Sequence, residues 1–379
     1  MKSWTGFFLS LFVSFAQARD LKSTPGADLF TNGPIAQVSV EINKSGMNSL
    51  RQDHRKPVHA TIVQGGKTYR DVATHIKGAA GSLRDVDDRP ALTLVFNWFE
   101  PGQKFHDLGR IHLNNSVQDP SYLEEAICGE ICRAAGVPAA RAAPVLVSLN
   151  GQKLGVYVLK EGFSKDFLKQ YFKHSNGNLY DGGFCSDIGD STHKSAGHGP
   201  DDHSDLKKLI AATDESDPAK RWYRLNTMLD VDRFISMMVV ETLTLHWDGY
   251  SQKANNYRVY FNTDNQKFVF FTHGMDQMFG RGNSVQYSIV PEMGGRVAQA
   301  IISTPQGLAQ YKRRLKEVQS TYFQAEPLAK RVRELAEPVR KVMAPEPGRL
   351  REYDSEVDSL QQRIIERCRD VEKQMKALP

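Results

Sequence analysis

Residues 248–280 read DGYSQKANNYRVYFNTDNQKFVFFTHGMDQMFG, with two apolar runs separated by a short polar link. The runs are Tyr257–Phe261 and Phe268–Thr272, and the link begins with Asn262-Thr263-Asp264-Asn265. A polar link of this kind between two apolar runs predicts a β-hairpin. Because the second strand of an antiparallel hairpin runs back along the first, we expect the two ends of the segment to lie side by side.

Three oxygen-bearing side chains stand near the ends of this hairpin. Asn256 precedes the first strand, Asp276 follows the second, and Asp248 lies just upstream at the same end. Two carboxylates and one amide at one point are suitable oxygen ligands and a base for magnesium-assisted phosphoryl transfer, and protein kinases present such groups in the same order. Each aspartate alone is better explained by a helix cap or a turn, whereas the set of three favours a functional site.

The composition is that of a soluble globular protein. The chain has 379 residues, 40% apolar and 25% charged residues, and a net charge of +5. This length allows one large or two medium domains. The charge is too small, and too little clustered among aromatic residues, to indicate nucleic-acid binding.

The N-terminus resembles a secretory signal over residues 1–18. Lys2 gives a positive start, Phe7–Val13 an apolar core, and Ala16-Gln17-Ala18 a small-residue cleavage site. A membrane anchor is the alternative, but the apolar run is shorter than the roughly 20 residues of a bilayer span. The sequence thus predicts a secreted, periplasmic or cell-envelope protein without a transmembrane segment after cleavage. Export permits disulfides. Cross-pairing of the cysteines and buried free thiols both remain open for Cys128, Cys132, Cys185 and Cys368.

The first part of the chain is rich in predicted strands, at residues 36–43, 58–63, 67–76 and 90–96. Asn150-Gly151 predicts a hairpin between 145–149 and 154–159. A helix is expected to open at Asp119-Pro120, and an apolar helix over 229–245 is expected to deliver Asp248. The resulting prediction is an α+β fold with a β-rich lobe at 19–160 and a mainly helical lobe at 161–379.

Lys77 ends a predicted strand, just before a loop of small residues at 78–82. Such a loop lets backbone amides approach phosphates, and the lysine adds a positive charge. A simple turn is the alternative. Glu125, in the first turns of the helix after Pro120, is expected to pair with Lys77 or to be a solvated glutamate.

A loop at 181–205 offers a second hypothesis, a metal-dependent hydrolase. Histidine and aspartate are frequent there, although exposed polar loops often carry them without a ligand. The residues concerned are His193, His198, His203, Asp187, Asp190, Asp201 and Asp202.

From about residue 70 to the C-terminus, the ordered motifs resemble the CotH kinase family of secreted and spore-coat proteins, which have an atypical, two-lobed kinase-like fold. The motifs are Lys77-Gly78, Leu113-Asn114-Asn115-Ser116, Gly136-Val137-Pro138, Gly177-Asn178-Leu179-Tyr180, Trp247-Asp248, Asn256-Tyr257 and Asp276-Gln277-Met278-Phe279-Gly280. The resemblance implies phosphorylation of serine or threonine in an exported protein, with ATP and Mg²⁺ or Mn²⁺ as cofactors.

The resemblance also implies roles for single residues. Asp248 matches the catalytic acid, and Asp276 and Asn256 match the metal-binding positions. The nucleotide-side positions match Lys77, Arg89, Glu125 and Glu161.

The chain departs from the family pattern at one acid. The family often has Trp-Asp-x-Asp where this chain has His273-Gly274-Met275-Asp276, so the first acid is missing. This departure favours an alternative function, a catalytically weak pseudokinase that serves as a coat or envelope scaffold. Transfer of AMP or glutamate also fits a kinase-like fold, because a fold does not fix the chemistry.

Overall fold

The fold contains two β-sheets and a set of helices. The computed structural model describes residues 24–31, 33–79, 81–189 and 191–378, so the predicted signal at 1–18 lies outside the described residues. Seven strands form a closed barrel in the order β1-β2-β3-β4-β5-β7-β6. They are β1 (Ala36–Ile42), β2 (Val58–Gln64), β3 (Lys67–Lys77), β4 (Ala91–Val95), β5 (Arg110–Asn114), β6 (Ala142–Leu149) and β7 (Gln152–Glu161).

Alternating side chains fill the barrel. Val38, Val40 and Ile42 of β1 point inward and are buried, as the period of two predicts. β1 pairs antiparallel with β2 and parallel with β6, and this second pairing closes the barrel. The hairpin of β6 and β7 turns at Asn150-Gly151, where both residues have positive φ (50° and 82°), so the predicted hairpin is confirmed.

The second sheet has four strands in the order β11-β10-β8-β9. These are β8 (Leu179–Asp181), β9 (His193–Ala196), β10 (Tyr257–Asn262) and β11 (Lys267–Thr272). β10 and β11 pair antiparallel from Tyr257↔Thr272 to Asn262↔Lys267, which confirms the hairpin predicted within 248–280. The prediction of a loop over 181–205 was wrong in part, because β9 lies within it and pairs with β8.

Two helices lie between strands of the barrel, and helices dominate the chain after it. They are α1 (Lys44–Gln52), α2 (Glu124–Ala134), α3 (Lys165–Tyr171), α4 (Ser204–Thr213), α5 (Pro218–Met228), α6 (Val231–Leu243), α7 (Tyr250–Lys253), α8 (Arg296–Ile302), α9 (Pro305–Tyr322), α10 (Ala325–Met343) and α11 (Pro347–Ala377). Helix α6 is buried along its length, apart from its first turn, because its middle is apolar on every face. Across the part of the chain described by the structure, none of these helices has the length and apolar character to cross a membrane.

Helix α2 begins later than predicted. The expected start at Asp119-Pro120 was wrong, because the buried Asp119 carboxylate folds the next residues into a turn. Its Oδ1 accepts a hydrogen bond from the Ser121 amide (3.0 Å) and its Oδ2 from the Glu124 amide (2.9 Å). Asp119 therefore caps the helix from outside its first turn, and Glu124 is the first helical residue.

Strands and helices are mixed, as predicted. The finer prediction of a two-lobed arrangement is not clearly matched by a closed barrel, and the predicted boundary after residue 160 stays a prediction. β7 continues to Glu161. The four cysteines are free thiols. Three are buried, as the second of the two open alternatives has it, whereas Cys185 is exposed.

Candidate active-site cleft

A cleft of about 470 Å³ lies between outward-facing side chains of the barrel strands β3, β5 and β7 and the residues around the hairpin of β10 and β11. Five of the residues proposed from the sequence line it. They are Lys77, Glu125, Asp248, Asn256 and Asp276. The structure therefore brings the two aspartates and the asparagine of the hairpin to one cavity, with the lysine and the glutamate contributed by the barrel and by α2.

Asn256 and Asp248 are in direct contact. The Asn256 side-chain amide donates to Oδ2 of Asp248 (2.9 Å) and to its backbone oxygen (3.0 Å). The backbone oxygen of Asn256 accepts from the His273 amide (2.9 Å), which continues the pairing of the hairpin by one residue. The hairpin thus fixes Asn256, and Asn256 in turn orients the Asp248 carboxylate.

Asp276 is a partly buried acid with charged neighbours. Burial, followed by the negative charge of Glu125, raises its pKa to about 6, while the nearby ammonium groups of Lys160 and Lys77 act in the opposite direction. A carboxylate in such a place is stabilised by a bound cation.

Gly274 occupies the position where the family often has an acid. Its φ is +68°, which favours glycine, and a Cβ built there would lie 2.7 Å from both Cγ and Oδ1 of Asn256. A side chain at 274 and the observed position of Asn256 therefore exclude each other. The glycine at 274, where the family often has an acid, therefore leaves the space that the Asn256 side chain occupies when it binds Asp248.

Both expectations for Glu125, a pair with Lys77 and a solvated glutamate, were wrong, because the residue is buried and pairs with another lysine. Glu125 Oε1 forms a buried ion pair with Lys160 of β7, and its Oε2 accepts from the Asn114 amide (2.9 Å). Lys77 donates to the side-chain oxygen of Asn114, so Asn114 links Lys77 to Glu125. Burial, then the positive charge of Lys160, lowers the Lys77 pKa to about 8.

Lys160 and Asn114 were missed as members of this network. Lys160 is a charged residue that follows an apolar strand, next to Glu161, and only the alternation of side chains along β7 indicates that the two face opposite sides. Asn114 ends β5 and entered the prediction only as part of a motif of the resemblance.

Arg89 and Glu161 do not line the cleft, although the resemblance implied a nucleotide-side role for both. The Arg89 guanidinium donates to the Val156 backbone oxygen and lies over the Tyr157 ring, 5.0 Å from its centre. Glu161 is fully buried and holds Arg141 in an ion pair (2.8 Å). Protein partners occupy both side chains, so we do not include them in the proposed site.

Two arginines that were not predicted from the sequence as site residues make one end of the cleft positive. Arg110 of β5 and Arg258 of β10 both line it. Burial, then the charge of Arg110, lowers the pKa of Arg258 to about 9, although Arg258 also pairs with Asp181. Burial, followed by the charge of Lys77, keeps the His112 pKa well below its usual value. This end of the cleft is suited to an anionic ligand.

The kinds of donor that line the cleft determine which metal ion it could hold. Within the described ranges, no group of three or more His, Cys, Asp or Glu side chains is placed to hold a metal ion. This removes support from the histidine-loop hydrolase hypothesis as far as the described residues go. Mg²⁺, in contrast, is commonly held by one or two carboxylates together with substrate phosphates, and Asp276 with the Asn256 carbonyl supplies oxygen donors of that kind.

Comparison with known proteins identifies the family. Residues 75–371 match the family described as CotH kinase protein, and the chain belongs to that family. Invasin CotH2 of Rhizopus delemar is 26% identical over 251 residues, covering 58% of this chain and 42% of that protein. Spore coat protein homolog 1 of the same organism is 25% identical over 298 residues, covering 72% and 48%. The matched region thus spans less than half the length of these relatives.

Among solved structures, the chain is similar to one titled Shewanella oneidensis MR-1 toxin antitoxin system HipA, HipB and its operator DNA complex. The TM-score is 0.37 at 11% identity, and the match covers 80% of this chain and 69% of the other.

Proposed function

We propose that this protein is an exported kinase that transfers the γ-phosphate of ATP to serine or threonine of a secreted or envelope protein, with Mg²⁺ as the metal. The observation that carries the proposal is that Asp248, Asn256 and Asp276 line one cleft together with Lys77. Membership in the CotH kinase protein family supports it. We further propose a kinase-like organisation, in which residues 19–160 cover the nucleotide and residues 161–379 carry the hairpin.

In the proposed reaction, the residues position the reactants and balance charge. Lys77 and the backbone around Gly78 bind phosphate oxygens, and the Glu125–Lys160 pair holds the Asn114 link behind Lys77. Asp276 and the Asn256 oxygen would hold Mg²⁺, which neutralises negative charge on the phosphates when bound.

Asp248 acts on the acceptor hydroxyl. The Asn256 amide binds Oδ2 of Asp248, which leaves Oδ1 for the proton of the serine or threonine. As the hydroxyl oxygen bonds to the γ-phosphorus, the bond from that phosphorus to the bridging oxygen breaks. ADP leaves with the electron pair, and the proton passes to Asp248.

An exported location is proposed from the predicted signal at 1–18 and from the relatives. Two of these are named an invasin and a spore coat protein homolog, names that fit proteins at a surface. The proposed partner is accordingly a protein substrate in the exported compartment.

The test is titration of ATP with and without Mg²⁺ into the wild type and Asp276→Ala. We expect Mg²⁺-dependent nucleotide binding to disappear in the variant, because its carboxylate is the proposed ligand. Asp264→Ala, at the opposite end of the same hairpin, is the matched control and should bind as the wild type does. Unchanged binding by Asp276→Ala would refute the metal assignment.

A non-catalytic scaffold is the second candidate, favoured by Gly274 in place of an acid. Mass spectrometry after incubation with ATP and Mg²⁺ separates the candidates. A kinase adds phosphate to itself or to a generic acceptor, and Asp248→Asn abolishes this; a scaffold adds nothing, and an AMP transferase adds AMP.

A further inference from the structure

The strands that line the cleft separate its phosphate-binding end from the end that carries two arginines. Asn114 of β5 contacts Lys77 at the proposed phosphate-binding end, and Arg110 lies at the other end of the same strand. Strand residues rise by about 3.3 Å each, so about 13 Å separate Arg110 from Asn114. Arg258 of β10 lines the cleft beside Arg110, and we call this the arginine end. Because the acceptor hydroxyl must reach Asp248, a nucleotide with its phosphates at Lys77 directs its base towards the arginine end.

Arg110 carries a positive charge that the protein itself does not pair. Its side chain is partly buried, and within the part of the chain that the structure describes it makes no ion pair or hydrogen bond. The Arg110 backbone oxygen accepts from the Gly162 amide (3.1 Å), and a Cβ at 162 would lie 2.6 Å from Cγ of Arg110. The stem is therefore held against Gly162, and the guanidinium is left for acceptor atoms of a ligand.

Asp181 and Phe163 complete the arginine end. Oδ1 of Asp181 pairs with Arg258 and accepts from the Gly183 amide (3.2 Å). Its Oδ2 has no partner among the described residues, and the side chain is 39% exposed. The Arg258 guanidinium lies over the Phe163 ring, 5.7 Å from its centre. This end of the cleft thus combines unpaired donors, one unpaired acceptor and an aromatic ring.

The groups around the arginine end favour a planar base over an additional phosphate. His112 and His273 line the cleft near it, and burial keeps the pKa of both well below the usual value, so both rings are uncharged at neutral pH. One of the two guanidiniums is already paired with Asp181. A further phosphate would gain little from uncharged imidazoles, whereas a base can pack against flat rings and accept hydrogen bonds from Arg110.

The donors and the acceptor at this end match guanine better than adenine. Guanine presents two neighbouring acceptors, O6 and N7, which an arginine binds in a bidentate manner. It also has N–H donors at N1 and N2, for which Oδ2 of Asp181 is a suitable acceptor. Adenine has an amino group where guanine has O6, so its hydrogens would face the donors of Arg110.

We propose that Arg110 and Asp181 make the cleft selective for guanine, so that GTP is bound more tightly than ATP. This inference rests on the proposed kinase function and names the preferred base of its nucleotide, with ATP as a donor of lower affinity. Arg110 donates to O6 and N7 of the base, and Asp181 accepts from its N1 and N2 groups.

The test is titration calorimetry of four nucleotides into the wild type with Mg²⁺. They are GTP, ATP, 7-deaza-GTP, in which carbon replaces N7, and inosine triphosphate, which lacks the amino group at N2. GTP should bind at least about fivefold more tightly than ATP, the effect of one bidentate pair. Loss of N7 should weaken binding about fivefold, and loss of the N2 amino group about two- to fivefold, because each removes one hydrogen bond to a charged group.

Arg110→Met keeps an apolar stem against Gly162 and removes the donors. The advantages of GTP over ATP and over 7-deaza-GTP should both disappear in this variant. Its melting temperature should not fall, because the charge that it removes is partly buried and has no partner in the protein. Arg351→Met removes the same charge from an exposed position on α11 and should keep the wild-type order of affinities.

ATP binding to the wild type as tightly as GTP would overturn the inference and leave the kinase proposal standing. A preference for GTP that survives in a folded Arg110→Met would do the same. Should that variant not fold, equal binding of GTP and 7-deaza-GTP to the wild type would refute the contact with Arg110, and equal binding of inosine triphosphate and GTP the contact with Asp181. No binding of any nucleotide would contradict both proposals. A preference for GTP without phosphate transfer to a serine peptide would support the guanine site and contradict the kinase reaction.

Discussion

Glu124 and Arg363 form an ion pair (2.8 Å) that joins α2 to α11 directly behind the segment of Asp276. Glu124 also accepts a hydrogen bond from the Met278 amide (2.6 Å), and Arg363 donates to the Met278 backbone oxygen (2.5 Å). The ion pair thus binds both the backbone amide and the backbone oxygen of Met278. Since Met278 is two residues after Asp276, the pair fixes the course of the chain at the proposed metal ligand.

Arg363→Ala should destabilise the protein strongly. Glu124 is fully buried, and burial, followed by the charge of Asp119, raises its pKa to about 8. Above about pH 8, where Glu124 is charged, removal of Arg363 leaves a buried carboxylate without its partner, which costs about 3–5 kcal/mol in buried pairs. Urea unfolding measures the loss. Arg349→Ala, which breaks an exposed pair with Glu346, is the control and should cost less than about 1 kcal/mol. Equal losses would contradict a structural role for Arg363.

The parts of the fold that depend on short stretches of sequence could be predicted. The hairpin of β10 and β11 follows from two apolar runs and a polar link, and the hairpin of β6 and β7 from Asn150-Gly151. Because Asn256 directly precedes the first of these hairpins and Asp276 lies a few residues after it, their convergence on one cleft could be predicted as well.

Features that depend on distant residues could not be predicted. Barrel closure pairs β1 with β6, and the contact between Ser39 and Ser148 spans 109 positions. Likewise, the sequence suggested Lys77 as a partner for Glu125, whereas the structure pairs it with Lys160. The choice between them is set by where β3 and β7 end beside α2, which no local pattern shows. Arg89 is similar: its position suggested a phosphate ligand, but the Val156 oxygen and the Tyr157 ring occupy it.

The ion pair of Lys160 and Glu125 should show strong energetic coupling. In Lys160→Met the Glu125 carboxylate stays buried without its cation, and in Glu125→Leu the ammonium does, so each single change should cost about 3–5 kcal/mol. The double variant removes both charges and should be more stable than the sum of the two losses predicts. A double-mutant cycle by chemical unfolding measures the coupling, and strictly additive losses would show that the two groups do not stabilise each other.

Lys77 should make stability depend on pH in a defined window. Its pKa is lowered from 10.5 to about 8, chiefly by burial, so between these values the folded protein binds fewer protons than the unfolded chain. The free energy of unfolding must then rise with pH across this window, as the buried charge is lost. Compared with Lys77→Met, the wild type should gain stability between about pH 8 and pH 10.

The affinity of the protein for ATP should fall as the pH rises, in contrast to its stability, because Lys77 loses its charge. An uncharged lysine attracts phosphate less, so ATP binding by the wild type should weaken as the pH rises above about 8. Lys77→Arg stays charged over this range and should show a flatter profile. Parallel profiles for the two proteins would mean that Lys77 does not contact the phosphates.

Gly274→Ala should damage the site more than its loss of backbone freedom explains. Gly274 and Gly282 have nearly the same φ (+68° and +70°), but a Cβ at 274 meets the Asn256 side chain at 2.7 Å, whereas one at 282 meets nothing within 4 Å. Gly282→Ala should therefore cost only the strain of a left-handed residue, about 1–2 kcal/mol, and leave Mg²⁺-dependent ATP binding intact. Gly274→Ala should cost about 1–3 kcal/mol more and weaken that binding, because Asn256 must move away from Asp248.

Gly274→Asp, which restores the acid that the family often has, should fail to improve phosphate transfer for the same reason. Unfolding, ATP titration and phosphate-transfer assays of the three variants check this, and a Gly274→Asp more active than the wild type would show that the Asn256–Asp248 contact is dispensable.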